Sequence, residues 1–179
     1  MLSFRKNGIK NICLIGLMGS GKSVIGKNLS NLYNISYFDT DIEIEKIEGK
    51  SINTIFTDYG ENYFRNIEEK ICLKILNNEN CIISLGGGSV TNSKIRNMID
   101  KNSYSIYLKV DIDILEKRLE YSKKRPLLKV KNKKKIIMEL YEQRKKFYEN
   151  ADLIIENNFD KKEIVTNISE NINKIWQKK

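Results

Sequence analysis

Apolar positions along the chain switch repeatedly between short unbroken runs and a spacing of three and four, which divides it into alternating strands and helices. The run Asn11–Ile15 reads as a short buried strand, followed by a helix over Lys22–Tyr33. Residues 36–38 form a second strand that ends at Asp39. Residues 41–48 and 51–59 read as short helices, with Gly49 and Gly60 as stops. Residues 61–77 form a longer helix, with Phe64, Ile67, Ile71 and Ile75 close to the helical period. A third strand over 81–85 closes on Gly86, Gly87 and Gly88. A helix at 93–99 and a strand at 104–108 follow, then the helix Ile112–Leu119, which Asp111 can cap. Residues 120–135 are polar, rich in lysine, and hold the only proline, Pro126. Both a plain loop and a mobile active-site lid fit that segment. A helix over 135–150, a strand at Leu153–Glu156 and an amphipathic helix at 160–176 complete the chain.

Five strands, each followed by helix, predict an α/β fold: a five-stranded parallel sheet with helices on both faces. The 179 residues show no internal repeat and no linker, so a single domain over 1–179 is expected.

No apolar run approaches the roughly 20 residues of a membrane-spanning helix. The N-terminal apolar stretch runs into a glycine-rich motif rather than a cleavage site, so a cytoplasmic protein is expected. The three cysteines, Cys13, Cys72 and Cys81, have no metal-like spacing and lie in apolar segments. Buried, reduced thiols agree with a reducing compartment. The chain has no histidine, which removes imidazole bases and histidine metal sites. A proton acceptor must then be a carboxylate, lysine, tyrosine or cysteine.

The net charge of +9 comes from lysine: of 32 basic residues, six are arginine, namely Arg5, Arg65, Arg96, Arg118, Arg125 and Arg144. No stripe interleaves arginine with aromatic residues, so nucleic acid is not the expected partner. Small anionic substrates explain the charge equally well. Where lysine is the default cation, each arginine points to a need for the planar guanidinium fork.

The segment Gly16-Leu17-Met18-Gly19-Ser20-Gly21-Lys22-Ser23 fits the pattern GxxxxGK[ST], after a strand and opening a helix. Glycines let the backbone curl so that N–H groups converge on a phosphate, and the helix N-terminus adds positive potential. Lys22 would reach the β/γ-phosphates of ATP or GTP, and the Ser23 hydroxyl would bind Mg²⁺.

Further along, Asp39-Thr40-Asp41, Ile55-Phe56 with Gly60-Glu61, and Phe64-Arg65 with Glu68 follow in order. Leu85-Gly86-Gly87-Gly88, Arg125-Pro126-Leu127-Leu128, and Arg144 with Tyr148 and Ala151 complete the series. Together with the phosphate motif, this series resembles the shikimate kinase family, a group of P-loop enzymes with a nucleoside monophosphate kinase-like fold. The likeness runs from about residue 11 to 152. It departs from the family at Val24, where a second hydroxyl is common, and in the lysine-rich composition of the lid.

The resemblance implies transfer of the ATP γ-phosphoryl group to the 3-hydroxyl of shikimate, with Mg²⁺, in aromatic amino acid biosynthesis. It implies nucleotide contacts from Gly19, Ser20, Gly21, Lys22, Ser23 and Val24. Arg118 would stack on adenine, and Arg125 would reach the transferring phosphate. It places Ser23 and Asp39 at the metal and Asp41 at the attacking hydroxyl. Arg65 and Arg144 would clamp the substrate carboxylate, with Gly86, Gly87 and Gly88 offering backbone N–H groups.

The residues also have readings of their own. One of Asp39 and Asp41 could simply cap the helix after them. Arg65 and Glu68 share a helical face and could be an ordinary surface ion pair. The glycine run could be a flexible turn, and Phe56 and Phe64 could line a pocket or fill the core. Arg5 and Arg96 read as surface residues. A monomer is expected, and the start at Met1 with a full motif set is expected of a free-standing enzyme.

Overall fold

β1 (Asn11–Ile15) is buried along its whole length, as the middle strand of a doubly covered sheet must be. The computed structural model describes residues 9–120, 133–158 and 161–177. In it β1 pairs in parallel with β3 (Cys81–Ser84) on one side and β4 (Ser103–Lys109) on the other. β2 (Ser36–Asp39) adds beyond β3, and β5 (Leu153–Glu156) beyond β4. The order β2-β3-β1-β4-β5 is parallel throughout, as the strand–helix alternation predicts.

Alternate side chains of the strands sort into two cores. Ile12, Leu14, Ile82, Ile106 and Leu108 pack with Ile25 and Leu29 of α1 (Lys22–Tyr33) and Ile164, Ile168 and Ile172 of α7 (Lys161–Gln177). Cys13, Ile15, Ile83 and Tyr107 point the other way. There they meet α2 (Thr40–Glu48), α3 (Ile52–Leu76), α4 (Ser93–Asn102), α5 (Ile112–Leu119) and α6 (Lys133–Tyr148).

The differences from the sequence reading have local causes. The helices expected at 51–59 and 61–77 join end to end as α3, broken only at Gly60, whose φ of 80° and ψ of 173° are not helical. α4 runs on to Asn102, whose buried amide donates to Leu76 O at 3.1 Å. Asp111 does not cap α5 through its side chain. Its carboxylate instead accepts from Asn158 Nδ2 at 3.0 Å, tying the start of α5 to the segment after β5. α6 begins at Lys133, so the last three residues of the 120–135 segment are helical. Residues 121–132, with Arg125 and Pro126, lie outside the described residues.

The carboxyl ends of all five strands lie along one edge, where ligands of open α/β sheets bind. Gly16 follows β1, Asp39 ends β2, Leu85 follows β3, Val110 follows β4 and Asn157 follows β5. Among the described residues, no helix is long and apolar enough to cross a membrane.

Candidate active site

The loop from Gly16 to Gly21 turns sharply from β1 into α1. Gly21 stands at the helix N-cap with φ 91°, and a Cβ there would fall 2.8 Å from the Asn157 amide nitrogen. Only glycine fits that position. The first turn of α1 carries no acidic side chain of its own to offset the partial positive charge of the helix end. Lys22 folds back over the loop: its Nζ donates to Gly16 O at 2.8 Å and Leu17 O at 2.9 Å. The result is a small cradle of cationic and N–H groups, suited to phosphate.

Asp39 serves two purposes, one per oxygen. Oδ1 accepts from the backbone N–H groups of Asp41 at 3.1 Å and Ile42 at 3.4 Å, which caps α2. Oδ2 accepts from the Ser23 hydroxyl at 2.6 Å and the Tyr37 phenol at 3.2 Å. Capping therefore belongs to Asp39, and Asp41 sits in the first turn of the helix that Asp39 caps. Burial pushes the Tyr37 phenol up, so it stays protonated.

Two cavities open along this edge. The larger, of about 640 Å³, is lined by Gly19, Gly21, Lys22, Ser23, Val24, Asp39, Arg118, Asn157 and Lys161. That volume suits a ligand the size of a nucleotide. The second is a narrower cleft lined by Met18, Ile52, Phe56, Phe64, Arg65, Glu68, Gly86, Gly88 and Arg144. Asp41 and Gly87 line both, so the two cavities meet at a carboxylate. Phe56 and Phe64 both pack and line the site: their rings lie 4.7 Å apart, tilted by 40°, against the core and also wall the cleft.

Two arginines enter this cleft. Arg65 Nη1 donates to Glu68 Oε2 at 2.7 Å, and its Nη2 and Nε donate to Glu61 Oε1 at 2.9 and 3.1 Å. Glu68 is 3% exposed, and its other oxygen accepts from the Ser89 hydroxyl at 2.8 Å. This is no loose surface pair, since one partner is buried and both are oriented. Burial opposes the Arg65 charge, but Glu68 and then Glu61 outweigh it, and the guanidinium is held above its ordinary value.

Arg144 is 5% exposed. Its Nη1 donates to Gly87 O at 3.2 Å, while its Nε is buried with no hydrogen-bond partner among the described residues. A buried donor of this kind costs free energy until something accepts from it.

The glycine run is a fixed turn rather than a flexible one. Gly86 N–H donates to the Thr40 hydroxyl at 2.9 Å, so this amide is already engaged and is not an open ligand donor as expected. Gly87 O accepts from Arg144 and from Tyr148, whose phenol is pushed up to about 12 by burial against the lowering effect of Arg144. A Cβ on Gly88 would fall 2.5 Å from Arg65 Nη1, so glycine there makes room for the guanidinium.

Arg118 reaches the phosphate loop: its Nη2 donates to Asn157 O at 3.1 Å and its Nη1 to Gly19 O at 3.4 Å. Asn157 carried no usable signal in the sequence. It is buried, and its Nδ2 donates to Ser20 O at 2.6 Å, so the segment after β5 braces the loop. Its one sequence cue is position, as the first residue after a strand on the ligand edge. Arg96, read as a surface residue, is half-buried: it stacks 4.2 Å above the Phe147 ring and donates to Val90 O at 2.8 Å.

This geometry agrees with the comparisons. The family model for shikimate kinase matches residues 18–173. The chain belongs to the shikimate kinase family. The shikimate kinase of Bartonella quintana is 42% identical over 144 residues, covering 80% of this chain and 69% of the relative. That of Persephonella marina is 42% identical over 147 residues, covering 82% and 88%. The shikimate kinase of Acinetobacter baumannii in complex with shikimate superposes with a TM-score of 0.90 at 29% identity, covering 93% of this chain and 94% of that one. The family's ATP-dependent transfer fits the larger cavity, which takes its walls from the phosphate loop, Arg118 and Asn157.

Within this family member, Asn157→Ala is expected to raise KM for ATP several-fold and leave KM for the acceptor unchanged. It removes the amide that braces Ser20 O without touching the second cleft. Steady-state kinetics with each substrate varied in turn check this, and an equal rise in both KM values would contradict it.

Proposed function

We propose that this chain is a cytoplasmic, monomeric shikimate kinase that transfers the γ-phosphoryl group of ATP to the 3-hydroxyl of shikimate, giving shikimate 3-phosphate and ADP. One observation carries the reading: a cleft holding two guanidinium groups, Arg65 and Arg144, joins the phosphate-loop cavity at Asp41. Arg144 lines that cleft beside Arg65, so a carboxylate there would meet two guanidinium groups.

The roles follow from position. Lys22 and the loop amides hold the β/γ-phosphates. Arg118 packs against the nucleotide. Arg65, braced by Glu61 and Glu68, and Arg144, braced by Gly87 O, fix the acceptor by its carboxylate. Asp41, between the cavities, accepts the proton of the attacking hydroxyl. Arg125 is assigned to the transferring phosphate from the sequence resemblance alone.

Ser23 and Asp39 fit a hard divalent cation: a hydroxyl oxygen and a carboxylate oxygen lie 2.6 Å apart at the mouth of the phosphate cradle. Among the described residues no group of three or more metal-ligating side chains could hold an ion unaided. Mg²⁺ would therefore share its coordination with phosphate and water, as it prefers. When bound, it supplies neutralisation of the phosphate oxygens.

The assay that tests the reading measures ADP release with ATP–Mg²⁺ and, separately, shikimate, gluconate, nucleoside monophosphates and RNA. Turnover with shikimate alone is expected. Turnover only with another acceptor would overturn it. Gly88→Ala should raise KM for shikimate by about tenfold or more, since the new methyl displaces Arg65. An unchanged KM would detach Arg65 from the substrate.

A further inference from the structure

The Tyr37 phenol is engaged with the metal-side carboxylate yet lines neither cavity itself. Its OH lies 3.2 Å from Asp39 Oδ2 and 3.0 Å from Ser84 Oγ. A carboxylate only accepts, so the phenol donates to Asp39, and the Ser84 hydroxyl donates to the phenol oxygen. Ser84 is 2% exposed, at the end of β3. The tyrosine ring is fixed too. It fits a notch in α1 left by Gly26, where a Cβ would fall 2.4 Å from the ring. The result is a chain of four side chains, from Ser84 at the buried end of β3 through Tyr37 and Asp39 to Ser23.

Resting on the assignment of Ser23 and Asp39 to Mg²⁺, we propose that Tyr37 is a positioning residue for the metal, holding the Asp39 carboxylate in the orientation that faces the ion. In this structure Ser23 donates its proton to Asp39 Oδ2. A hydroxyl has two lone pairs beside its proton, so Ser23 can face a cation and still donate to Oδ2, but its orientation is then shared between the two. Oδ1 is committed to the N–H groups of Asp41 and Ile42. Among the described residues Tyr37 is the donor to Oδ2 that is not itself assigned to the cation, and partners of this type set the orientation and basicity of metal-binding carboxylates.

The test is Tyr37→Phe, which keeps the ring in the Gly26 notch and removes only the hydroxyl. Mn²⁺ binding to the enzyme–ADP complex is followed by electron paramagnetic resonance, beside Asp39→Asn and the unmodified protein. Tyr37→Phe is expected to weaken Mn²⁺ binding by about tenfold, with an unchanged KM for shikimate; the apoprotein stays folded, its melting temperature lowered because the buried Ser84 hydroxyl loses its acceptor. Ser84→Ala should shift Mn²⁺ binding the same way by less. If Asp39→Asn weakens Mn²⁺ and Tyr37→Phe does not, the role of Tyr37 is wrong and the metal site stands. If neither variant changes binding, the metal assignment of Asp39 falls, and the role of Tyr37 with it.

Discussion

Asp41→Asn is expected to lower kcat for phosphoryl transfer to shikimate by about 10²–10⁴-fold, with ATP affinity nearly unchanged. Asparagine keeps the shape of the side chain and removes its capacity to take a proton. No histidine exists in the chain to substitute for it. Asp41 lines both cavities, where the proposed reading has acceptor and phosphoryl group meet. The capping of α2 belongs to Asp39, so the substitution does not remove the cap. Nucleotide binding rests on the phosphate loop, Lys22 and the bracing by Asn157, which the substitution leaves in place. Single-turnover kinetics with equilibrium ATP titration separate the two effects. A variant that loses ATP binding would put Asp41 on the nucleotide instead.

Arg65→Lys is expected to raise KM for shikimate by about 10- to 100-fold, corresponding to a charge-assisted contact of about 1.5–3 kcal/mol. Lysine keeps the positive charge beside buried Glu68, so the variant avoids leaving that carboxylate unpaired. What it loses is the fork. Arg65 serves Glu61 and Glu68 with three of its nitrogens and still has N–H groups for a ligand. A single ammonium cannot serve both glutamates and a planar carboxylate at once. kcat should fall less than kcat/KM, because the contact holds the ground state and the transition state alike. A normal KM for shikimate in this variant would remove Arg65 from the clamp.

Much of the fold was legible because the strands here are short, apolar and punctuated by glycine or an acidic residue. Asn11–Ile15 and Leu153–Glu156 have the bounds that the pattern predicts. The break at Gly60 was legible for the same reason, since only glycine takes its backbone angles easily. The 3-10 turn at Ser89–Thr91 was not, because it depends on tertiary bonds around Gly86–Gly88 rather than on local pattern.

At the site, the charged residues announced themselves. Arginine is scarce in this chain, and Arg65, Arg118 and Arg144 all line the two cavities. The neutral hydrogen-bonding residues stayed hidden. Thr40, Ser84, Tyr37 and Asn157 have no spacing that marks them, and each matters through a partner distant in sequence. Asp111 shows the reverse error: a residue with good capping chemistry found a better partner in Asn158. Arg96 was misread because burial against Phe147 arises only once α4 and α6 pack on the same face of the sheet.

The most direct measurement is a crystal structure of the protein with ADP and shikimate bound. Guanidinium nitrogens of both Arg65 and Arg144 should lie about 2.7–2.9 Å from the shikimate carboxylate oxygens, with the 3-hydroxyl against Asp41. Shikimate seated with its carboxylate away from these two arginines, or absent from the cleft at saturating concentration, would contradict the account.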